Sequence, residues 1–195
     1  MAGRIRRFSF LRRNPALNRA TFSHHYETVH GPLAASLDGF RAFATEYVQN
    51  HVVGNAPAAF DGVTATTQVP RQDYDTGFFH HPDYAKVQPD ERYLFDITAT
   101  VSVLGTETVV RDLPPTGYVA LILDASPSSG PTLAGRLSRN DLKVQTASAL
   151  GFGGATLQHD ILWEAWFPEA ATREAALADL PAGALGLPAR QVRIF

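Results

Sequence analysis

Three of the chain's seven histidines fall within thirteen residues, 21–33, in the stretch TFSHHYETVHGPL. Imidazole titrates near neutrality, so a histidine held in a pocket is suited to general acid–base transfer. The apolar residues around these histidines recur with helical spacing, and each helical residue turns by about 100°. Counted from Phe22, Leu33 lies at about 20°, Tyr26 at about 40° and His30 at about 80°, all within one apolar arc. His25 falls just outside its opposite edge, and His24 points away. His30 is therefore the histidine that faces a core. Gly31-Pro32 follows it, and proline supplies no N–H and crowds the preceding turn, which predicts a helix end or kink at His30. A core histidine satisfied by a carbonyl and a proton-moving histidine in a pocket both fit this pattern.

Other residues of chemical interest lie further along. In EYVQNHVVG (46–54), strand alternation puts Tyr47, Gln49 and His51 on one face and Val48, Asn50 and Val52 on the other. The polar set is expected to line a pocket with His30, leaving the valine set to pack under helices. Asp61 precedes Gly62 and fits either an orienter for a histidine or a turn residue. His80-His81-Pro82 carries no ligand spacing for a metal, and His81 is placed at a pocket mouth. Phe78 and Phe79 read as core, with Phe78 also a candidate pocket wall. Asp90, Glu91 and Asp96 read as partners for arginines or as turn caps. GFGG (151–154) follows a predicted helix and precedes a strand, the reverse of the order a phosphate-binding loop needs.

The elements that must position these groups can be read from periodicity. RIRRFSFLRR, with five arginines between Arg4 and Arg13, alternates at Phe8 and Phe10 and predicts a first strand with a solvated basic face. A helix from about Phe22 to Leu37 follows, capped by Asn18 or Thr21. Strands are expected at 46–54, 60–69 and 97–105, with RQDYDTGFFHH a short helix and residues 82–95 a loop or broken helix. After RDLPPTG (111–117) the pattern restarts. It gives a strand at 118–125, a helix at 132–151, strands at ATLQHDIL and WEAWF, an alanine-rich helix at 168–180 and a last strand at ARQVRIF. The order β-α-β-β-α-β thus occurs twice, and VQNHVV (48–53) aligns with LQHDIL (157–162). The expected fold is α+β: two ferredoxin-like modules, 1–112 and 113–195, packed sheet to sheet as a single-chain barrel. A small-molecule cavity is expected between the sheets.

Composition bounds the rest. The chain has 195 residues, 45% hydrophobic and 18% charged, with a formal net charge of −2. That favours neither a nucleic-acid footprint nor a membrane, and no apolar run reaches the ~18 residues of a spanning helix. There is no cysteine, hence no disulfide or thiolate chemistry. A soluble cytoplasmic protein is expected, and a homodimer stays open.

FLRRNPALNRATFSHHYETVHGPL, then YVQNHVV, FDGV and HPDYAKVQPDERYLFD, together resemble the EthD family of the dimeric α+β barrel superfamily, over roughly residues 5–105. Tyr26 stands where that family usually has tryptophan, and residues 118–195 keep almost none of the motif. Family members are often single modules that dimerise, so the resemblance implies an internal dimer with one pocket, in the N-terminal half. It also implies small hydrophobic, often aromatic or polyketide-like, ligands. The expected function is a cofactor-independent enzyme of cyclase, isomerase, decarboxylase or C–C lyase type. His30 would move the proton, Tyr26 and His51 would assist, and Tyr47, Gln49, Asn50, Asp61, Phe78 and His81 would contact substrate. No cofactor or metal is expected. A cofactor-free monooxygenase and a non-catalytic accessory protein that binds a hydrophobic ligand for a partner oxidase are the alternatives.

Overall fold

The structure is a computed structural model that describes residues 3–54, 58–70, 77–125, 130–143 and 157–195. Its strands are β1 (Arg4–Leu11), β2 (Ala44–Val52), β3 (Gly62–Gln68), β4 (Val101–Arg111), β5 (Tyr118–Asp124), β6 (Arg136–Lys143), β7 (Ile161–Phe167) and β8 (Leu185–Arg193). They close into one antiparallel barrel in the order β1-β3-β2-β8-β5-β7-β6-β4. The first half of the chain contributes β4-β1-β3-β2 and the second β8-β5-β7-β6. The β2–β8 and β4–β6 ladders join them, so among the described residues neither half keeps an open sheet edge.

Strand alternation divides the side chains between the two faces. Phe8, Phe10, Val48, Val52, Val63, Val101, Val103, Leu121, Leu123, Leu162 and Leu187 pack together inside the barrel, drawn from both halves. These side chains fill the middle of the interior as a core, and a cavity between the sheets remains at one end of the barrel, about 310 Å³ lined by Arg6, Val48, Glu107, Glu164, Trp166 and Gln191 from both halves. The valine face of β2 points into that core rather than under helices. The basic face of β1 is not solvated either. Arg6 is inside, ion-paired with Glu164 from β7, and Arg7 lies buried on the opposite face.

Helices cover the outer faces. On the first half these are α1 (Arg19–His25), a π-turn (Tyr26–His30), α2 (Gly31–Ala35), α3 (Asp38–Phe43), a single 3₁₀ turn (Phe78–His80) and α4 (Tyr84–Leu94). Asn18 caps α1, its side-chain oxygen accepting the Thr21 N–H at 2.8 Å. The regular α-helix is interrupted up to His30, as a π-turn, and resumes at Gly31-Pro32. The Gly31 N–H reaches back five residues to the Tyr26 carbonyl, and the chain continues through Pro32 as helix. The π-turn ends just before Pro32, so the residue without an N–H falls in the first turn of α2, where proline is tolerated. Val29, which a regular α-helix would place at about −20° and so in the apolar arc, is exposed. Residues 84–94 form one helix in spite of Pro89, not a loop.

The second half departs further from expectation. A strand, β6, occupies 136–143, where a helix was expected over 132–151; 144–151 lie outside the described residues. The Arg136–Lys143 ladder partners lie on both β4 and β7, and this pairing prevails over the helix-like apolar spacing. ILWEAWF is a single strand. In strand order β6 corresponds to β2, so the counterpart of Asn50 is Asn140, not His159. Each asparagine donates to the carbonyl of the residue opposite, Val63 at 3.1 Å and Leu162 at 3.3 Å. The 97–105 strand begins at Val101. The 71–76 part of the expected short helix lies outside the described residues. The last helix, α5 (Ala170–Ala178), packs on Ala120, Ile122, Trp163 and Phe167. No helix among the described residues is long and apolar enough to cross a membrane.

Candidate functional site

The outer face of the first half-sheet carries Arg7, Ser9 and Leu11 from β1, Tyr47 from β2, and Thr64 and Thr66 from β3. Between this face and the helices lies a cavity of about 60 Å³. That is room for about two waters, or for one slim end of a larger molecule. Phe40, Phe78, Phe79, Val87 and Phe95 make its walls apolar, and His30 and Glu91 reach it from the helical side.

His30 is 6% exposed and is held by a carboxylate. Its Nδ1–H donates to Asp90 Oδ2 at 2.8 Å, and His25 Nε2–H donates to Asp90 Oδ1 at 2.5 Å. Burial alone would raise the Asp90 carboxyl, but the hydrogen bonds from His30 and His25 outweigh it and hold it below its ordinary value. The His30 ring packs edge-on to Phe95 at 5.3 Å and against Tyr26 at 5.8 Å, which fixes its plane. Among the described residues His30 Nε2 has no hydrogen-bond partner. This is the geometry of an oriented base: one nitrogen tied to a carboxylate, the other free towards an apolar cavity.

The π-turn makes that placement possible. Gln49 Nε2 donates to the Tyr26 carbonyl at 2.7 Å and to the Tyr47 hydroxyl at 2.9 Å. A buried strand glutamine thus braces the turn that carries His30. Gly31 permits the close approach, since a Cβ there would sit 3.0 Å from Gln49 Nε2 and 2.8 Å from Ile194 Cδ1.

Tyr47 and Phe78 line this outer cavity. Burial, eased by the Gln49 hydrogen bond, holds the Tyr47 hydroxyl above its ordinary value. The other expected contacts lie elsewhere. Gln49 serves as a brace. Asn50 points into the barrel, where Gln191 Nε2 donates to its Oδ1 at 2.9 Å. Tyr26 is fully buried, its hydroxyl 2.5 Å from Thr64 Oγ1, between the cavity and His51. His51 Nδ1 lies 2.8 Å from Ser23 Oγ, and burial together with the Arg190 charge lowers its pKa to about 4, against the opposing pull of Glu27. It stays neutral and does not reach the cavity. Asp61 meets no histidine. It accepts from the Arg13 backbone at 3.1 Å and side chain at 3.2 Å, tying β1 to the turn before β3. His81 sits against Gly39, its Nδ1 accepting the Asp83 N–H at 3.2 Å, away from the cavity.

Asp90, Glu91 and Arg7 went unread as site residues. Asp90 and Glu91 lie in a segment expected to be a loop or a broken helix. As a helix, the segment's buried stripe is Tyr84, Val87 and Leu94, and Glu91 falls on it at the i, i+3, i+7, i+10 spacing. A carboxylate in an apolar stripe was the available signal. Among the described residues no cluster of three or more histidine, aspartate or glutamate side chains is disposed to hold a metal ion.

Residues 14–98 match the EthD domain family. No curated protein matches the chain in sequence. A solved structure named a monooxygenase, by assignment only, from Lactobacillus acidophilus NCFM aligns over 99% of this chain and 95% of its own, with a TM-score of 0.50 and 4% identity. One named a chlorite dismutase, likewise by assignment, aligns over 100% and 96%, with a TM-score of 0.48 and 12% identity. The first likeness is one of fold alone.

Proposed function

We propose that this chain, whose residues 14–98 carry an EthD domain, is an enzyme that moves a proton on a small hydrophobic compound, with His30 as the base. The observation that carries this is the Asp90–His30 hydrogen bond with Nε2 left free towards an apolar cavity. When His30 takes a proton at Nε2, its Nδ1–H stays on Asp90, and the imidazolium forms beside a carboxylate already ionised. Such a dyad serves cyclisation, isomerisation or decarboxylation of a carbonyl compound or phenol, and the sparse polar lining suits a mostly apolar ligand. With about 60 Å³ free, only the reacting end of a polyketide-like molecule enters. The strand orders β4-β1-β3-β2 and β8-β5-β7-β6 support reading the chain as two ferredoxin-like modules, 1–112 and 113–195, with the site in the first.

The test is exchange of the α-hydrogens of 2-tetralone, an aromatic ketone, followed by NMR in D₂O. The wild-type protein is expected to accelerate it and His30→Ala to abolish the acceleration. Equal exchange by His30→Ala sinks the reading, as does a wild type no faster than buffer. Oxygen consumed in step with turnover of a substrate would favour a monooxygenase instead.

A further inference from the structure

Glu91 follows Asp90 in sequence but plays no part in holding His30. Its side chain is half-buried in line with the buried Tyr84, Val87 and Leu94 of α4, and it lines the same cavity as His30. The Tyr84 hydroxyl donates to Oε2 at 2.5 Å. Among the described residues Oε1 has no hydrogen-bond partner. One oxygen is therefore fixed and the other is available to the cavity.

The charged and titratable groups around it come from several elements. Asp90, Arg92 and Tyr84 lie on its own helix, Tyr47 on β2 and His30 on the π-turn. Arg7 on β1 lines the cavity too, with its guanidinium 5.2 Å from the Phe79 ring centre. Burial raises the Glu91 carboxyl to about 8. The Tyr84 hydrogen bond opposes this, the neighbouring Asp90 charge adds to it, and Arg92 offsets a little. The two adjacent carboxyls are thus driven apart: Asp90 ionised between two histidines, Glu91 protonated among aromatic rings. Carboxyls divided in this way are the usual mark of an acid and a base acting together.

We propose that Glu91 is the proton donor of this site, and that its substrates are neutral ketones that enolise. This rests on His30 being the base. His30 Nε2 takes a proton from the carbon beside the carbonyl. The C–H electron pair becomes the new C=C bond, the carbonyl π pair closes onto oxygen, and the Glu91 proton forms the O–H. The product is the enol of the same composition, and nothing is oxidised. Glu91 is left as carboxylate and His30 as imidazolium, and the reverse transfers, or exchange with water, restore them.

Infrared spectroscopy and 2-tetralone exchange test this together. The wild type at neutral pH is expected to show a protonated-carboxyl C=O band that Glu91→Gln lacks and that is lost as pH rises through about 8. Glu91→Gln is expected to slow exchange by about 10²-fold or more, at the lower end of the 10²–10⁴-fold typical of an acid–base group, and to lose the fall in rate on the alkaline side. A merely structural glutamate would leave that alkaline limb in place. Absence of the band overturns the proposal. So does a Glu91→Gln protein that keeps the wild-type rate and limb while His30→Ala is dead. A wild type that exchanges no 2-tetralone overturns the His30 reading itself, and the donor role falls with it.

Discussion

The two outer faces of the barrel have the same strand order beneath them and opposite characters above. On the first half, Tyr47, Gln49 and His51 rise from β2 to meet helices that bring His25, His30, Asp90 and Glu91. On the second, Ala120, Ile122, Trp163, Ala165 and Phe167 meet α5 through Ala176, Leu177 and Leu180. One interface is apolar packing beside a cavity of about 240 Å³ that Asp124 and Asp179 help to line and that, among the described residues, no histidine reaches. The other is apolar walls around a few polar groups, with His30 held by Asp90 and Glu91 by Tyr84. A four-stranded sheet covered by helices is thus a neutral support: α5 buries Arg173, which donates to the Ala189 carbonyl, whereas the helices of the first half bury a histidine bonded to a carboxylate.

The comparison can be broken most severely at Asp90. Asp90→Asn removes the charge that both histidines bond, and 2-tetralone exchange is expected to fall by about 10²–10⁴-fold with little loss of folded structure by circular dichroism.

Glu91 gives the next largest effect, on stability. In the unfolded chain a glutamate ionises near pH ~4.3, whereas in the folded one it holds its proton to about 8. Between those values the unfolded state binds fewer protons, so stability falls as pH rises. Glu91→Gln is expected to flatten that fall by a few kcal/mol in urea titrations run across this range. An unchanged slope would place its ionisation elsewhere.

On the second face, Leu177→Ala is expected to cost about 2 kcal/mol, the lower end for a large-to-small change since the residue is only partly buried. It should leave 2-tetralone exchange intact. Lost exchange would show that the second face supports the first.

His51 sharpens the picture least. It stays neutral in the fold down to about 4, while an unfolded histidine charges below ~6.5. The unfolded state binds the extra proton in that window, so stability is lost as pH falls through it. His51→Gln should soften this acid sensitivity, measured as midpoint shifts in thermal melts, with exchange little altered.

Much of the first half was legible. Phe22, Tyr26 and His30 share a buried stripe because helical periodicity is local, and Asn18 caps because its side chain needs only the next turn. Tyr47, Gln49 and His51 share a face because alternation is built into a strand. His30 was singled out from its angle alone. Asp90 escaped because Pro89 suggested a break, and its partners lie 60 and 65 residues away in sequence. Tyr26 and His51 were overread. Their types invite chemistry, but their hydrogen bonds to Thr64 and Ser23 use them as struts.

What the amino-acid order determined by itself was periodic and local: strands, caps, the apolar arc and the position of His30 on it. The tertiary structure alone decided which side of the sheet became a core, that Arg6 is buried with Glu164, that 136–143 is a strand, and that Asp90 meets His30. The physical reason is closure of the barrel. Closing eight strands packs side chains of both halves into the middle of the barrel, and the cavity that His30 reaches lies on the outer face, under the helices. Only there can a helix bring a carboxylate from one segment to the histidine of another.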